Sequence, residues 1–395
     1  MSLPTRPFLI VYIVWHPDFE DGRVMAKALY DHYRRDVFEN VAGGTGLSVI
    51  YRSEPIGAAA APMPIDLEEG ETAAVVVLYD AHFGADNAYR SWLEETARRA
   101  DAHGLGSRVF PVAIDGTFTQ QGIVEQAIRW DHWDKMEPKA RTGRLISVLS
   151  YQFARMLRAY LERLRYPAEP DDELQRYLKR VQVFLSHSKW DNDGAKIALK
   201  IREALSKSDD LSSFFDVYNI PPGLPFDRVI LSQIRASAVI AIHTDSFSSR
   251  TWCRREVLEA KRAGVPLVVA NCIADGDERG FPYMGNVPVV RMDPVRADRI
   301  DDVIGRLLDE VLKDFLWRCK VALVADAAEA GVRFLPRLPE LISLVGLDRE
   351  AADVATLVYP DPPLGTEEQR LFEEVAPTVR LRSMTEWIAE REATR

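Results

Sequence analysis

Five short segments of this chain recur, in the same order, about 160–170 residues further on. Val11-Tyr12-Ile13-Val14-Trp15-His16 parallels Val183-Phe184-Leu185-Ser186-His187. Val49 through Gly57 parallels Phe215 through Gly223, and Ala74 through Phe83 parallels Ala238 through Phe247. Val109–Ala113 parallels Pro266–Ala270, and Arg129-Trp130-Asp131 parallels Arg291-Met292-Asp293 ahead of a long closing helix. One pairing would be chance. Five in order constrain the chain to two copies of one architecture.

Strand-like runs alternate with helical patterns within each copy, the order expected of an α/β fold with a parallel sheet. Val181–Leu185, Val239–Ile242 and Val265–Ala270 are almost wholly apolar, as strands covered on both faces are. Gly194–Leu205 has helical periodicity, with Ile197, Leu199, Ile201 and Leu205 as apolar members. Asp227–Ala236 likewise turns Val229, Ile230 and Ile234 inward. Leu145–Arg165 reads as the closing helix of the first copy. Tyr166 through Asp172 ends it with two prolines. Beyond about Arg318 the pattern changes: Val354–Pro360 reads as a strand, Thr366 as the cap of a helix Glu367–Val375, and Val379–Leu381 as another strand. The expected domains are 1–166, a linker 167–179, 180–318, and an α/β tail module 319–395.

With 47% hydrophobic residues in 395, several cores can form. A formal net charge of −10 argues against broad nucleic-acid or membrane-surface binding, which needs clustered Lys and Arg. The three cysteines, Cys253, Cys272 and Cys319, are too widely spaced for a zinc site or disulfide framework and suit a reduced cytoplasm. The start of the sequence does not read as a signal peptide, and no apolar run approaches a membrane span. Gly43-Gly44-Thr45-Gly46 lacks the spacing of a dinucleotide fingerprint, and there is no Walker A motif.

Three motifs in the second copy carry chemistry. Phe184-Leu185-Ser186-His187-Ser188-Lys189-Trp190-Asp191 places polar residues at the C-terminal end of a parallel strand, where open α/β sheets bind ligands. The loop Asp216–Asp227 is stiffened by Pro221 and Pro222 and turned by Gly223, as exposed recognition loops are. In Trp252-Cys253-Arg254-Arg255-Glu256, a helix starting near Thr251 puts Trp252 and Glu256 on one face, with Thr251 or Ser249 as N-cap. A structural role is also open to each: Glu256 as a first-turn acid, Trp252 and Cys253 as core, His243 as a satisfied structural histidine. No His/Asn arrangement supports Cys253 as a nucleophile.

Together these motifs, over about 180–315, resemble a TIR (Toll/interleukin-1 receptor) domain of the NAD-cleaving, bacterial type. The resemblance implies a flavodoxin-like fold and makes Glu256 the catalytic acid. Phe184, Ser186, His187, Asp216 and Trp252 become substrate-binding candidates. Ile220, Pro221, Pro222 and Gly223 become the assembly-forming BB loop. It implies an NAD+ glycohydrolase that takes NAD+ as substrate, needs no metal or other cofactor, self-associates and serves antiphage defence. The rival reading is a non-catalytic TIR scaffold recruiting partner proteins. A base-exchange enzyme using the same glutamate is a third.

Extending the repeat without gaps sets Ala88 opposite Trp252 and Trp92 opposite Glu256, with Trp15 opposite Ser186. Glu94 and Glu95 lie close by. The first copy is therefore expected to be a degenerate TIR-like unit without the acid.

Overall fold

A computed structural model describes residues 6–34, 46–55, 61–118, 126–165, 180–207, 215–217, 226–293, 299–325, 328–345 and 355–393. They fall into two compact units, 4–178 and 179–395. The linker expected at 167–179 and the loop 218–225, with Ile220, Pro221, Pro222 and Gly223, lie outside the described residues.

The first unit is a parallel sheet of β1 (Leu9–Trp15), β2 (Ser48–Tyr51), β3 (Thr72–Tyr79) and β4 (Ser107–Ala113), in the order β2-β1-β3-β4. Every residue of β1 and β3 is buried, because helices cover both faces of a parallel sheet. Helix α1 (Gly22–Tyr33) buries Gly22, Ala26, Leu29 and Tyr33, a single stripe at helical spacing. Beyond β3 lie α2 (Ala81–Ala85) and α3 (Asn87–Ala102), and α4 (Pro138–Arg165) closes the unit. A parallel bridge between Val112 and Ile128 extends the sheet past β4.

In the second unit β5 (Val181–His187) leads to α5 (Asn192–Lys207), β6 (Phe215–Val217) and α6 (Phe226–Ala236). Then come β7 (Ala238–His243), α7 (Thr251–Ala263), β8 (Leu267–Asn271), β9 (Val289–Arg291) and α8 (Ile300–Val324). All strands are parallel, ordered β6-β5-β7-β8-β9. This is the flavodoxin-like order, and its first four strands repeat the order of the first unit. The chain order reverses between β5 and β7, so a ligand crevice belongs at their C-terminal ends.

Three local expectations are corrected. Leu199 does not join the core: it is 53% exposed, whereas Ile197, Ile201 and Leu205, spaced by four, are buried. The N-cap of α7 is Arg250, with no side-chain cap; Thr251 is already helical, and the Ser249 hydroxyl donates to the Ser246 carbonyl instead. The tail helix α9 (Thr366–Val375) is capped by Gly365 rather than Thr366, and the Glu368 carboxylate accepts the Gly365 N–H at 3.0 Å.

The tail adds a three-stranded parallel sheet of β10 (Val332–Phe334), β11 (Ala355–Tyr359) and β12 (Val379–Ser383), with α9 and α10 (Met384–Ala393). It belongs to the second unit and packs against the helices of that unit's five-stranded sheet. The Lys261 ammonium on α7, almost wholly buried, donates to both Glu340 carboxylate oxygens at 2.8 and 2.7 Å and to the Gly285 carbonyl at 2.6 Å. Arg337 pairs with Glu310 of α8 at 3.0 Å. Gly264 caps α7 at φ +64°, a conformation that favours glycine, and a Cβ there would overlap the ring of Pro336. The boundary expected at 318/319 falls inside α8. Among the described residues no helix is long and apolar enough to cross a membrane.

Candidate active site

Ser186 sits on β5 and Glu256 on the second turn of α7, the helix that follows β7. The topology thus brings them to the crevice between β5 and β7 from 70 residues apart, and the Ser186 hydroxyl donates to Glu256 Oε2 at 2.5 Å. Both are buried: Ser186 is 1% and Glu256 9% exposed. Burial pushes the Glu256 carboxyl up to about 7, against the opposing pull of the Ser186 hydrogen bond and the Lys189 charge. The carboxyl therefore changes charge near neutral pH.

The loop after β5 is held by a second carboxylate. Asp191 Oδ2 accepts the Thr244 hydroxyl at 2.6 Å and the Ser246 hydroxyl, and Oδ1 accepts the Gly194 N–H at 2.9 Å. Burial alone would raise the Asp191 carboxyl, but these hydrogen bonds outweigh it and hold it below the usual range. Ser246 also bonds the buried Ser188 hydroxyl at 2.7 Å. Asp191 therefore ties the β5 exit loop to the β7 exit loop, and with it fixes the frame in which Ser186 meets Glu256. Reading the sequence alone did not single out Asp191, Thr244 or Ser246 for this. The cue was present in an acid and two hydroxyls at two adjoining strand ends.

The remaining candidates are placed as follows. Phe184 is in the core cluster with Cys253 and Val257, beneath the crevice. His187 is half-buried, its Nδ1 3.3 Å from the Leu185 carbonyl, and burial lowers its pKa. Asp216 lies on β6 in register with Gln182 of β5. Trp252 is 40% exposed, with the Arg255 guanidinium 5.0 Å from its ring centre. Cys253 is buried, and burial followed by the neighbouring Glu256 charge pushes its thiol up to about 12, which rules out a resting thiolate. His243 is buried and satisfied, 2.9 Å from Ser248 Oγ and 3.1 Å from Asp277 Oδ2.

In the first unit the register puts Val14 of β1, beside Val77 of β3, where Ser186 of β5 lies beside Ala241 of β7, so the expected match of Trp15 to Ser186 is one residue off; Trp15 falls opposite His187 and is buried. A Cβ on Gly22 would overlap its indole. Trp92, on α3, packs against the apolar core.

A flavodoxin-like sheet with a buried, hydrogen-bonded acid at its switch point defines an α/β protein with a buried carboxylate beside its central strands. Residues 183–298 match the family model described as TIR domain, and the chain contains a TIR domain. Comparison with curated proteins gives no match. Among solved structures, the C-terminal domain of glucosamine-fructose-6-phosphate aminotransferase from Francisella tularensis aligns at 11% identity over 79% of this chain and 84% of that one, with a TM-score of 0.19. The glycotransferase of kitacinnamycin aligns at 14% identity over 82% and 96%, with a TM-score of 0.22. Superpositions this loose carry no argument.

Proposed function

We propose that the chain is an NAD+ glycohydrolase that breaks the bond between nicotinamide and ribose, with Glu256 as the catalytic carboxylate. The observation that carries this is a buried glutamate at the sheet's switch point, held by Ser186 and poised to ionise near neutral pH. Nicotinamide leaves as a neutral base, so no strong general acid is needed. Positive charge develops on the ribose, as in other glycosidic cleavages. The ionised Glu256 would stabilise that charge and accept hydrogen bonds from the ribose hydroxyls, in a site where burial strengthens the interaction. Ser186 keeps the carboxylate oriented. Attack by water gives ADP-ribose; attack by the adenine ring gives a cyclic isomer.

Purified protein incubated with NAD+, with and without a crowding agent, should release nicotinamide, with mass spectrometry assigning the second product. Release of nicotinamide by Glu256→Gln at the wild-type rate would refute the assignment. An unreactive wild type would favour the scaffold, and a different released base would indicate base exchange. We further propose that the loop Ile220-Pro221-Pro222-Gly223 joins copies head to tail, a heterologous contact that can propagate into filaments. Gly223→Arg should then leave a monomer without activity; an active monomer would refute the composite site. A role in bacterial antiphage defence, with the first unit as an interaction or sensing module, completes the proposal. Loss of infected-cell protection in Glu256→Gln cells tests it.

A further inference from the structure

Trp190 lies on the loop after β5, four residues beyond Ser186, and is 77% exposed. The Arg250 guanidinium sits over its ring at 4.2 Å from the centre. An indole this exposed is a poor choice for a plain connecting loop, since its large apolar surface faces water. With Arg250 on one face and most of the side chain accessible, the other face is, among the described residues, open to a flat partner. The Arg250 Nε is buried and has no hydrogen-bond partner among the described residues. The two neighbouring arginines are engaged elsewhere: Arg254 donates to the Ser248 carbonyl at 2.7 Å, and Arg255 covers Trp252.

Position decides what the flat partner is. Arg250 is the N-cap of the helix that carries Glu256, six residues before it, about 9 Å along the axis at ~1.5 Å per residue. The backbone that carries Arg250 therefore lies one to two helical turns before that of Glu256, and Trp190 reaches Arg250 from the loop that follows β5. A dinucleotide with its ribosyl bond at Glu256 must place its second base some way from the reacting carbon, across a charged pyrophosphate. A purine stacks on an indole face whatever its hydrogen-bonding edge, and a guanidinium behind the indole strengthens the stack and attracts the adjoining phosphate.

We infer that Trp190 and Arg250 form the seat for the adenine end of the substrate, so that Trp190 sets the preference for a dinucleotide over a mononucleotide. This rests on the NAD-cleaving reading of Glu256. The test compares nicotinamide release from NAD+ and from nicotinamide mononucleotide, which has the same scissile bond and no adenylate half. Trp190→Ala should lower the preference for NAD+ about tenfold, within the range of base-on-aromatic stacking, and through KM rather than kcat. Trp190→Phe should restore most of it. In parallel, calorimetry should show adenosine diphosphate binding to the Glu256→Gln protein about tenfold more weakly when Trp190 is also replaced by alanine. An unchanged preference overturns the inference. So does a loss confined to kcat that accompanies a smaller particle in sedimentation, which would make Trp190 an assembly contact. If wild type cleaves neither substrate, the glycohydrolase reading fails, and the calorimetry alone decides whether the adenine seat stands.

Discussion

Glu256→Gln should inactivate the protein and make it more stable. The carboxyl has a pKa of about 7 in the fold against an ordinary value of 4.5. A raised carboxyl pKa means the folded state holds its proton more tightly than the unfolded chain. Stability is then full below pH 4.5 and is lost as pH rises through 7. A displacement of about 2.5 units costs about 3 kcal/mol once the group is ionised in both states. Glutamine keeps an acceptor for the Ser186 hydroxyl but never ionises, so it escapes this cost. Relative to wild type, Glu256→Gln should gain about 2 kcal/mol between pH 5.5 and pH 8 by the same linkage relation. For a folded unit of about 200 residues that is a Tm gap widening by ~4–8 °C. Scanning calorimetry of both proteins at the two pH values reads it, beside nicotinamide release. A gap that does not change with pH would refute the reasoning, because it would mean the buried carboxyl does not titrate in this range. Inactivity together with higher stability is the pattern of a residue kept for chemistry at the fold's expense.

Ser186→Ala removes a hydrogen bond that lowers the Glu256 pKa, so the acid limb of kcat/KM against pH, on which activity rises as Glu256 ionises, should move to higher pH; an unmoved limb would mean Ser186 does not hold the ionised form. Asp191→Asn weakens the acceptor shared by Thr244, Ser246 and the Gly194 amide, and should cost about 1.5–3 kcal/mol in urea unfolding. Gly264→Ala combines a left-handed backbone with overlap on Pro336 and should cost more than about 1 kcal/mol; a neutral result would show that the Pro336 strap yields freely.

Much of this fold was legible because its strands are short apolar runs and its helices carry stripes spaced by three and four. Glu256 could be placed on a helix face next to Trp252 for the same reason. Leu199 was misplaced by counting an apolar residue without its angle: Ile197, Ile201 and Leu205 share a face that Leu199 does not. The cap of α7 was misplaced because a hydroxyl near a helix start was assumed to serve it, whereas the Ser249 hydroxyl has a nearer acceptor in the Ser246 carbonyl. The Asp191 network was invisible for a different reason. Its members belong to segments more than 50 residues apart, and only the β5–β7 pairing makes them neighbours. Lys261 and Glu340, 79 residues apart, are hidden in the same way.

The Lys261–Glu340 pair has a consequence for how this domain can be cut and grafted. Family resemblance ends at residue 298, yet α8 continues to Val324 with Trp317 and Cys319 buried, and Lys261 is buried against a partner beyond it. A chain stopped at 318 would unravel the last turns of α8. It would also leave an ammonium at the end of the Glu256 helix without its carboxylate, and an unpartnered buried charge is costly. The TIR domain here is therefore not an exchangeable cassette. Any chimera that borrows its chemistry must carry residues 299–345 along, and a partner that pulled on the tail would be pulling on the helix that holds Glu256.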